Sequence, residues 1–286
     1  YWQLLRVKEQ LQAAEKYREV VKELVKNVRD AQSVGMAMNN DVLKAVVRYN
    51  EAELMVQKAQ NGTVLASMNL CRLIGLNLMS DIRLQDTLSE TISPEVWALD
   101  SNVAQRPDYH ILENEVDLRE RQIALVRSDF LPQIGVTAGY GYGGGIKLNG
   151  EDAADATFMA MAAVKIPVFH WGEARNKVRS ARMDEEISRL NLENLSNKMQ
   201  LEITSSRFNI QDAQTRVAMA KNALDQAREN LKISDDQYRV GLESLTNLLE
   251  AQAQWQETWS QWIDAKAMLH LSESQYLKAI GKLVEE

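Results

Sequence analysis

The chain repeats itself at a spacing of 206 residues, and this limits what it can fold into more than any other feature. Ser33-Val-Gly-Met-Ala-Met-Asn-Asn-Asp-Val-Leu-Lys-Ala45 matches Arg239-Val-Gly-Leu-Glu-Ser-Leu-Thr-Asn-Leu-Leu-Glu-Ala251, with Gly35 over Gly241. The same offset pairs Leu43 with Leu249, Tyr49 with Trp255, and Ile74-Gly75 with Ile280-Gly281. One offset held over about forty residues without a gap means two copies of one structural unit.

Each copy reads as helix, tight turn, helix. Before the second turn, Ile210, Ala213, Val217, Ala220, Leu224, Ala227, Leu231, Ser234 and Tyr238 recur in steps of three and four, which is a coiled-coil seam. Shifted back, the seam becomes Leu4, Val7, Leu11, Ala14, Arg18, Val21, Val25, Val28 and Gln32. After the turn, Leu245, Leu248, Gln252, Trp255, Trp259 and Trp262 continue it. Gly35 and Gly241 supply the positive φ that stops a helix. Ser244 or Thr246, and Asn40 or Asp41, are candidate N-caps of the returning helices. Residues 173–238 contain neither Pro nor Gly, so one helix of roughly 100 Å is expected there. Such lengths suit a coiled coil or a tube, and the helices alone do not choose between them.

Two segments between the helical units change period. In Ile134-Gly-Val-Thr-Ala-Gly-Tyr-Gly-Tyr142, apolar residues alternate with Gly or Thr. From Phe158 onward, one face carries Phe158, Ala160, Ala162, Val164, Ile166 and Val168. Period two means strand, and about nine to eleven residues is the length that crosses a bilayer at a tilt. Ile134, Val136, Tyr140, Tyr142, Phe158 and Val164 are the candidate membrane-facing residues, the aromatics sitting where an interfacial girdle would lie. Residues 143–156 read as a solvated loop. A soluble hairpin capping the helices is the alternative. A two-stranded ribbon in lipid needs other chains to close a barrel, because open edges are not tolerated there.

Composition removes other classes. The net charge is -7, which disfavours nucleic acid as a partner. No run of eighteen apolar residues exists, so a membrane role must rest on strands. The single cysteine, Cys71, reads as a small buried apolar residue. His110, His170 and His270 lie far apart with no metal-ligand spacing. Gly143-Gly-Gly145 lacks the Lys and Ser/Thr of a phosphate loop, and Asp184, Glu185 and Glu186 fan around a helix. No catalytic constellation, cofactor motif or metal site emerges.

Several motifs, in order, carry a resemblance to a known family. Arg106-Pro-Asp-Tyr109 opens a helix, and Phe130-Leu-Pro-Gln-Ile134 leads into a strand. Val164-Lys-Ile-Pro-Val-Phe-His-Trp-Gly172 ends a strand, with Arg175 and Val178 beyond it. Val34-Gly35 and Tyr238-Arg-Val-Gly241 form the turns. The set resembles the TolC-like outer membrane efflux proteins over nearly the whole chain.

The resemblance implies a mainly α fold with a β-hairpin. Long antiparallel helices would build a trimeric periplasmic α-barrel, and strands would join a 12-stranded outer membrane barrel. It divides the chain into a first-repeat hairpin at 1–82, a connecting segment at 83–104, a helix at 105–129, a membrane hairpin at 130–169 and the second-repeat hairpin at 170–286. Each protomer of the family gives four strands and this chain gives two, so a signal sequence and another strand pair are expected before Tyr1. Tyr1 aligns with Arg207, so about 34 residues of the first long helix (207 minus 173) are also expected there. The implied function is a passive export duct, opened by docking of a periplasmic adaptor that links it to an inner membrane pump. A soluble periplasmic scaffold or adaptor is the alternative. In the family a tyrosine before the second glycine meets an aspartate after the first, here Tyr238 and Asp41. The usual basic residue two after that glycine is Glu243, and the usual acidic pair is Asn247 and Glu250, so a strong cation-binding ring is not expected. Val34, Gly35, Met36, Val240, Gly241 and Leu242 would be the adaptor-docking tips.

Overall fold

The computed structural model describes residues 1–148, 151–168 and 171–283, with the side chains of Glu95 and of 142–157 outside the description. His170 therefore lies outside the described residues. The chain forms two compact units, one of Tyr1–Ser101 with Leu201–Glu286, the other of Asn102–Gln200.

In the first unit the repeat appears as matched helix boundaries. Helix α1 covers Trp2–Ser33 and α2 covers Asn39–Ile74. A short helix α3 follows at Glu95–Ala98. Helix α5 runs unbroken over Glu173–Arg239, its residues from Leu201 onward belonging to this unit, and α6 covers Leu245–Ala279. The starts of α2 and α6 differ by the repeat offset, and so do the glycines that end the four long helices α1, α2, α5 and α6. Gly35, Gly75, Gly241 and Gly281 have φ of 77°, 76°, 77° and 77°. Both hairpin turns close as Schellman motifs. Met36 N–H donates to Ala31 O at 2.8 Å and Gly35 N–H to Gln32 O at 3.0 Å. Their second-repeat equivalents are Leu242 to Gln237 at 2.9 Å and Gly241 to Tyr238 at 3.0 Å.

The N-caps differ between the copies. Ser244 caps α6, its Oγ accepting from Asn247 N–H at 3.3 Å. In the first copy the N-cap position is Met38, not Asn40 or Asp41. Methionine offers no strong acceptor, so Asp41, three residues on, reaches back and accepts from Met38 N–H at 3.3 Å.

The predicted seams are buried. Ile210, Ala213, Val217, Leu224, Ala227 and Ser234 line α5, and Leu4, Val7, Ala14, Val21, Val25 and Val28 line α1. Helix α1 buries a second stripe, Leu5, Ala13, Tyr17 and Leu24. Leu5 and Ala13 pack with Ile263 and Ala267 of α6 and with Leu88 of the connecting segment. Tyr17 and Val21 meet Ala52 of α2. The first hairpin is therefore held to the second through α1. Near the turns, Leu24, Val25, Val28, Ala45, Leu245, Leu248 and Leu249 form one apolar cluster shared by both hairpins.

The second unit contains α4 (Pro107–Ser128), a two-stranded antiparallel ribbon and the first part of α5. Pro107 occupies the first helical turn, where its missing N–H costs nothing. Strand β1 is Gln133–Leu148 and β2 is Glu151–Lys165. The expected loop at 143–156 is instead mostly strand, paired out to Leu148 with Glu151 through a register shift between Gly143 and Ile146. Backbone pairing is made by N–H and C=O groups and needs no apolar side chain, so polar composition misleads there. Conversely, β2 stops at Lys165 and leaves out Ile166 and Val168, because Pro167 has no N–H for a ladder.

Candidate functional site

The ribbon has two unlike faces. Antiparallel partners share a face, and the register pairs Ile134 with Val164, Val136 with Ala162, Ala138 with Ala160 and Tyr140 with Phe158. All eight are apolar, and the same register pairs Tyr142 with Ala156. The opposite face pairs Gly135 with Ala163, Thr137 with Met161, Gly139 with Met159 and Gly141 with Thr157. Ile134, Val136, Tyr140, Phe158 and Val164 are 63–77% exposed. An apolar face this open, on strands long enough to cross a bilayer, is what lipid contact requires. The ribbon is the whole described sheet, so both of its outer edges lack hydrogen-bonded neighbours among the described residues. No described helix is long and apolar enough to cross a membrane.

The turns of the first unit form a second candidate site. Val34, Met36, Val240 and Leu242 flank the two glycines and are 68%, 85%, 69% and 80% exposed. The Schellman turns point them outward while Ala37 and Tyr238 pack inward on the shared cluster. A cross-hairpin bond joins the tips, Lys44 Nζ donating to Thr246 Oγ1 at 3.2 Å.

Around the tips, Tyr238 is half-buried. Burial raises its pKa, and the nearby Asp41 carboxylate adds to the rise. Asp41 accepts from Met38 N–H at the α2 cap, and no bond from Tyr238 to Asp41 is present among the described residues. Glu250 and Asn247 are exposed. Glu243 is partly buried, and its Oε2 is enclosed without a hydrogen-bond partner.

Resemblance alone accounted for the Arg106-Pro-Asp108 motif in the sequence. In the structure Arg106 is buried as the N-cap residue of α4. Its guanidinium grips Asp108, Nε to Oδ1 at 2.9 Å and Nη2 to Oδ2 at 2.7 Å. The Arg106 bonds hold the Asp108 carboxyl below its usual range. The join between α1 and α6 leaves no local pattern in the sequence. Lys266 is buried, its Nζ 2.7 Å from Glu9 Oε2 and 4.0 Å above the Trp262 ring. Gln10 donates to Asp264 at 2.7 Å. Burial raises the Asp264 pKa, with Arg6 opposing it. Among the described residues no group of three or more His, Cys, Asp and Glu is placed to hold a metal ion.

Matched helical hairpins with exposed tips, and a ribbon with one exposed apolar face, define a class of protein built from long helices and strands together. A family profile described as "Outer membrane efflux protein" matches residues 98–282. The chain belongs to that family. It is 20% identical over 255 residues to the probable efflux pump outer membrane protein TtgC of Pseudomonas putida, an alignment covering 88% of this chain and 53% of TtgC. The chain thus spans about half the length of this relative. The fold is similar to that of the outer membrane protein VceC of Vibrio cholerae, with a TM-score of 0.79 and 17% identity over 98% of this chain and 67% of that one. It is also similar to the MtrE outer membrane channel of Neisseria gonorrhoeae in its open state, with a TM-score of 0.81 and 17% identity over 99% of this chain and 64% of that one.

Proposed function

We propose that this chain is the greater part of one protomer of an outer membrane export duct. The observation that carries this is the ribbon, with an exposed apolar face and two open edges on a chain whose described helices cannot span a bilayer. In lipid those edges must be paired, so sister strands close a barrel. In this reading three protomers, each with a second strand pair, form a 12-stranded barrel in the outer membrane, and the helices form a periplasmic tube. Apolar residues exposed at helical spacing support a lateral partner, Leu43, Val47, Leu54 and Leu65 on α2 and Leu201 and Phe208 on α5. The relative's name assigns it to an efflux pump. By analogy the exposed tips meet a periplasmic adaptor and, through it, an inner membrane pump. The duct is passive, with no catalysis and no cofactor.

The tips are the gate in this proposal. Closure rests on the apolar cluster beneath them, with Tyr238 packed over it near Asp41. Single-channel recording of the full-length protein in planar bilayers tests the proposal. A small resting conductance that rises several-fold in Tyr238→Ala supports it. Absence of any conductance, with protein confirmed in the bilayer, rules out the duct.

A further inference from the structure

The foot of the ribbon carries a cluster of positive charge and an exposed tryptophan that play no part in the proposed duct or gate. The opening of α5, residues 173–182, holds one acid, Glu173, and four bases, Arg175, Lys177, Arg179 and Arg182, in a chain of net charge -7. The sign then reverses at Asp184-Glu185-Glu186. Lys177 is paired with Glu173, Nζ to Oε1 at 2.7 Å. The arginines recur in steps of four and three, so Arg175, Arg179 and Arg182 share one face of the helix. All three are exposed, and none forms an ion pair among the described residues. Arg182 also lines a groove of about 900 Å³ with Arg121 and Arg127 of α4. Helix α4 leads into the ribbon and α5 leaves it, so Arg127 and Arg182 frame the ribbon end of that groove. Its acids, Asp117, Glu120, Glu185 and Glu186, lie farther from the ribbon along both helices.

The chain enters this helix through Trp171 and Gly172, with φ of 42° and 78°. A positive φ is unfavourable for so bulky a residue, and the indole it carries is 89% exposed. Val168, three residues earlier, is 86% exposed. Both follow closely on the apolar face of the ribbon, whose pair nearest the helices is Ile134 with Val164. An indole, with an apolar body and one N–H, suits the boundary between hydrocarbon and headgroups.

The spacing along α5 matches that boundary. At about 1.5 Å per residue, Arg175, Arg179 and Arg182 lie about 3, 9 and 14 Å from Glu173 along the helix axis. The headgroup layer is about 5–7 Å deep on each side of a bilayer, and its surface potential reaches about 8–10 Å further. The arginines fall within this span, and the acids begin at about 16 Å, at its outer edge. Positive charge that ends where the field of the bilayer fades is complementary to negative headgroups.

We propose that the foot of the ribbon binds anionic phospholipid, with Trp171 at the hydrocarbon boundary and Arg175, Arg179 and Arg182 against the headgroups of the leaflet on the helix side. The inference rests on the ribbon lying in the membrane, as in the duct reading.

Quenching of tryptophan fluorescence by brominated lipids tests it. The full-length protein is reconstituted in mixtures of phosphatidylcholine and phosphatidylglycerol, with one or the other brominated on its acyl chains. Bromine quenches an indole only near contact, and Trp2, Trp97, Trp255, Trp259 and Trp262 belong to the other compact unit. The emission lost in Trp171→Phe isolates the signal of Trp171. That signal should report a preference for phosphatidylglycerol of at least about fivefold, the worth of one arginine close to the surface. The preference should fall to about one in the triple variant Arg175→Gln, Arg179→Gln, Arg182→Gln. It should also fall to about one in the wild type at about 1 M salt, where the Debye length is about 3 Å. Equal quenching by the two lipids at low salt overturns the proposal and leaves the ribbon in the membrane and the duct intact. A preference that persists in the triple variant overturns it too; should that variant not assemble, the salt series decides. No quenching of Trp171 by either lipid, with protein confirmed in the bilayer, means that another part of the assembly covers the indole. That also overturns the proposal, and the conductance recordings then judge the duct separately.

Discussion

Lys266 is the sharpest place to test how the two hairpins are joined. Its ammonium sits 2.7 Å from Glu9 and 4.0 Å above Trp262, with side-chain exposures of 6% for the lysine and 25% for the glutamate. Lys266→Met keeps the aliphatic stem and removes the charge. Breaking a buried pair from one side costs about 3–5 kcal/mol, because the other charge is stranded. Glu9 retains some contact with water, which lowers this to about 2–3 kcal/mol. Loss of the cation over the indole adds about 1 kcal/mol. The expected destabilisation is therefore about 3 kcal/mol. Removing both charges should not add up. Lys266→Met with Glu9→Leu leaves no stranded charge and should lie within about 1 kcal/mol of the wild type. Denaturant unfolding of the detergent-solubilised full-length protein, followed by far-ultraviolet circular dichroism, gives all four corners of the cycle. A single Lys266→Met within about 0.5 kcal/mol of the wild type would refute the reasoning, as would a double variant equal to the sum of the singles.

Two further outcomes follow from local geometry. Gly241→Val forces a β-branched residue to φ near 77° and should cost about 2 kcal/mol, with Gly35→Val costing a similar amount, both read as loss of thermal stability. Asp108→Asn should cost no more than about 1 kcal/mol at neutral pH, since the carboxylate is half exposed and screened. The folded Asp108 pKa is depressed, so its stabilisation is full above the unfolded value of about 3.9 and fades as pH falls through the folded one. The gap between wild type and variant, measured by unfolding at several pH values, should therefore close below about pH 4.

The helical part of the fold was written in the sequence as period. Steps of three and four from Ile210 to Tyr238 face one partner, and they are buried as expected over most of their length. The second stripe of α1 was not legible, because Leu5, Ala13, Tyr17 and Leu24 matter only once α6 lies beside α1. Chain-distant pairs such as Lys266 with Glu9 leave no local pattern at all. Nor does His270, whose ring accepts from a backbone amide 181 residues away. At the turns the glycines were informative, since only a positive φ ends four helices in the same way. The cap at Met38 left no signature, because capping passed to Asp41 when the cap residue had no strong acceptor. The outer parts of β1 and β2 resemble a loop in composition, because backbone pairing can run through Gly and Asp without an apolar pattern.

The duct depends on the ribbon facing lipid on one side and water on the other. Spin labels placed one at a time on residues 133–141 of the full-length protein in liposomes measure this directly, through relaxation by oxygen and by a water-soluble nickel chelate. Positions 134, 136, 138 and 140 should favour oxygen, and 133, 135, 137, 139 and 141 should favour the chelate, with a period of two. Uniform access to the chelate at every position would place the ribbon in water and contradict the account.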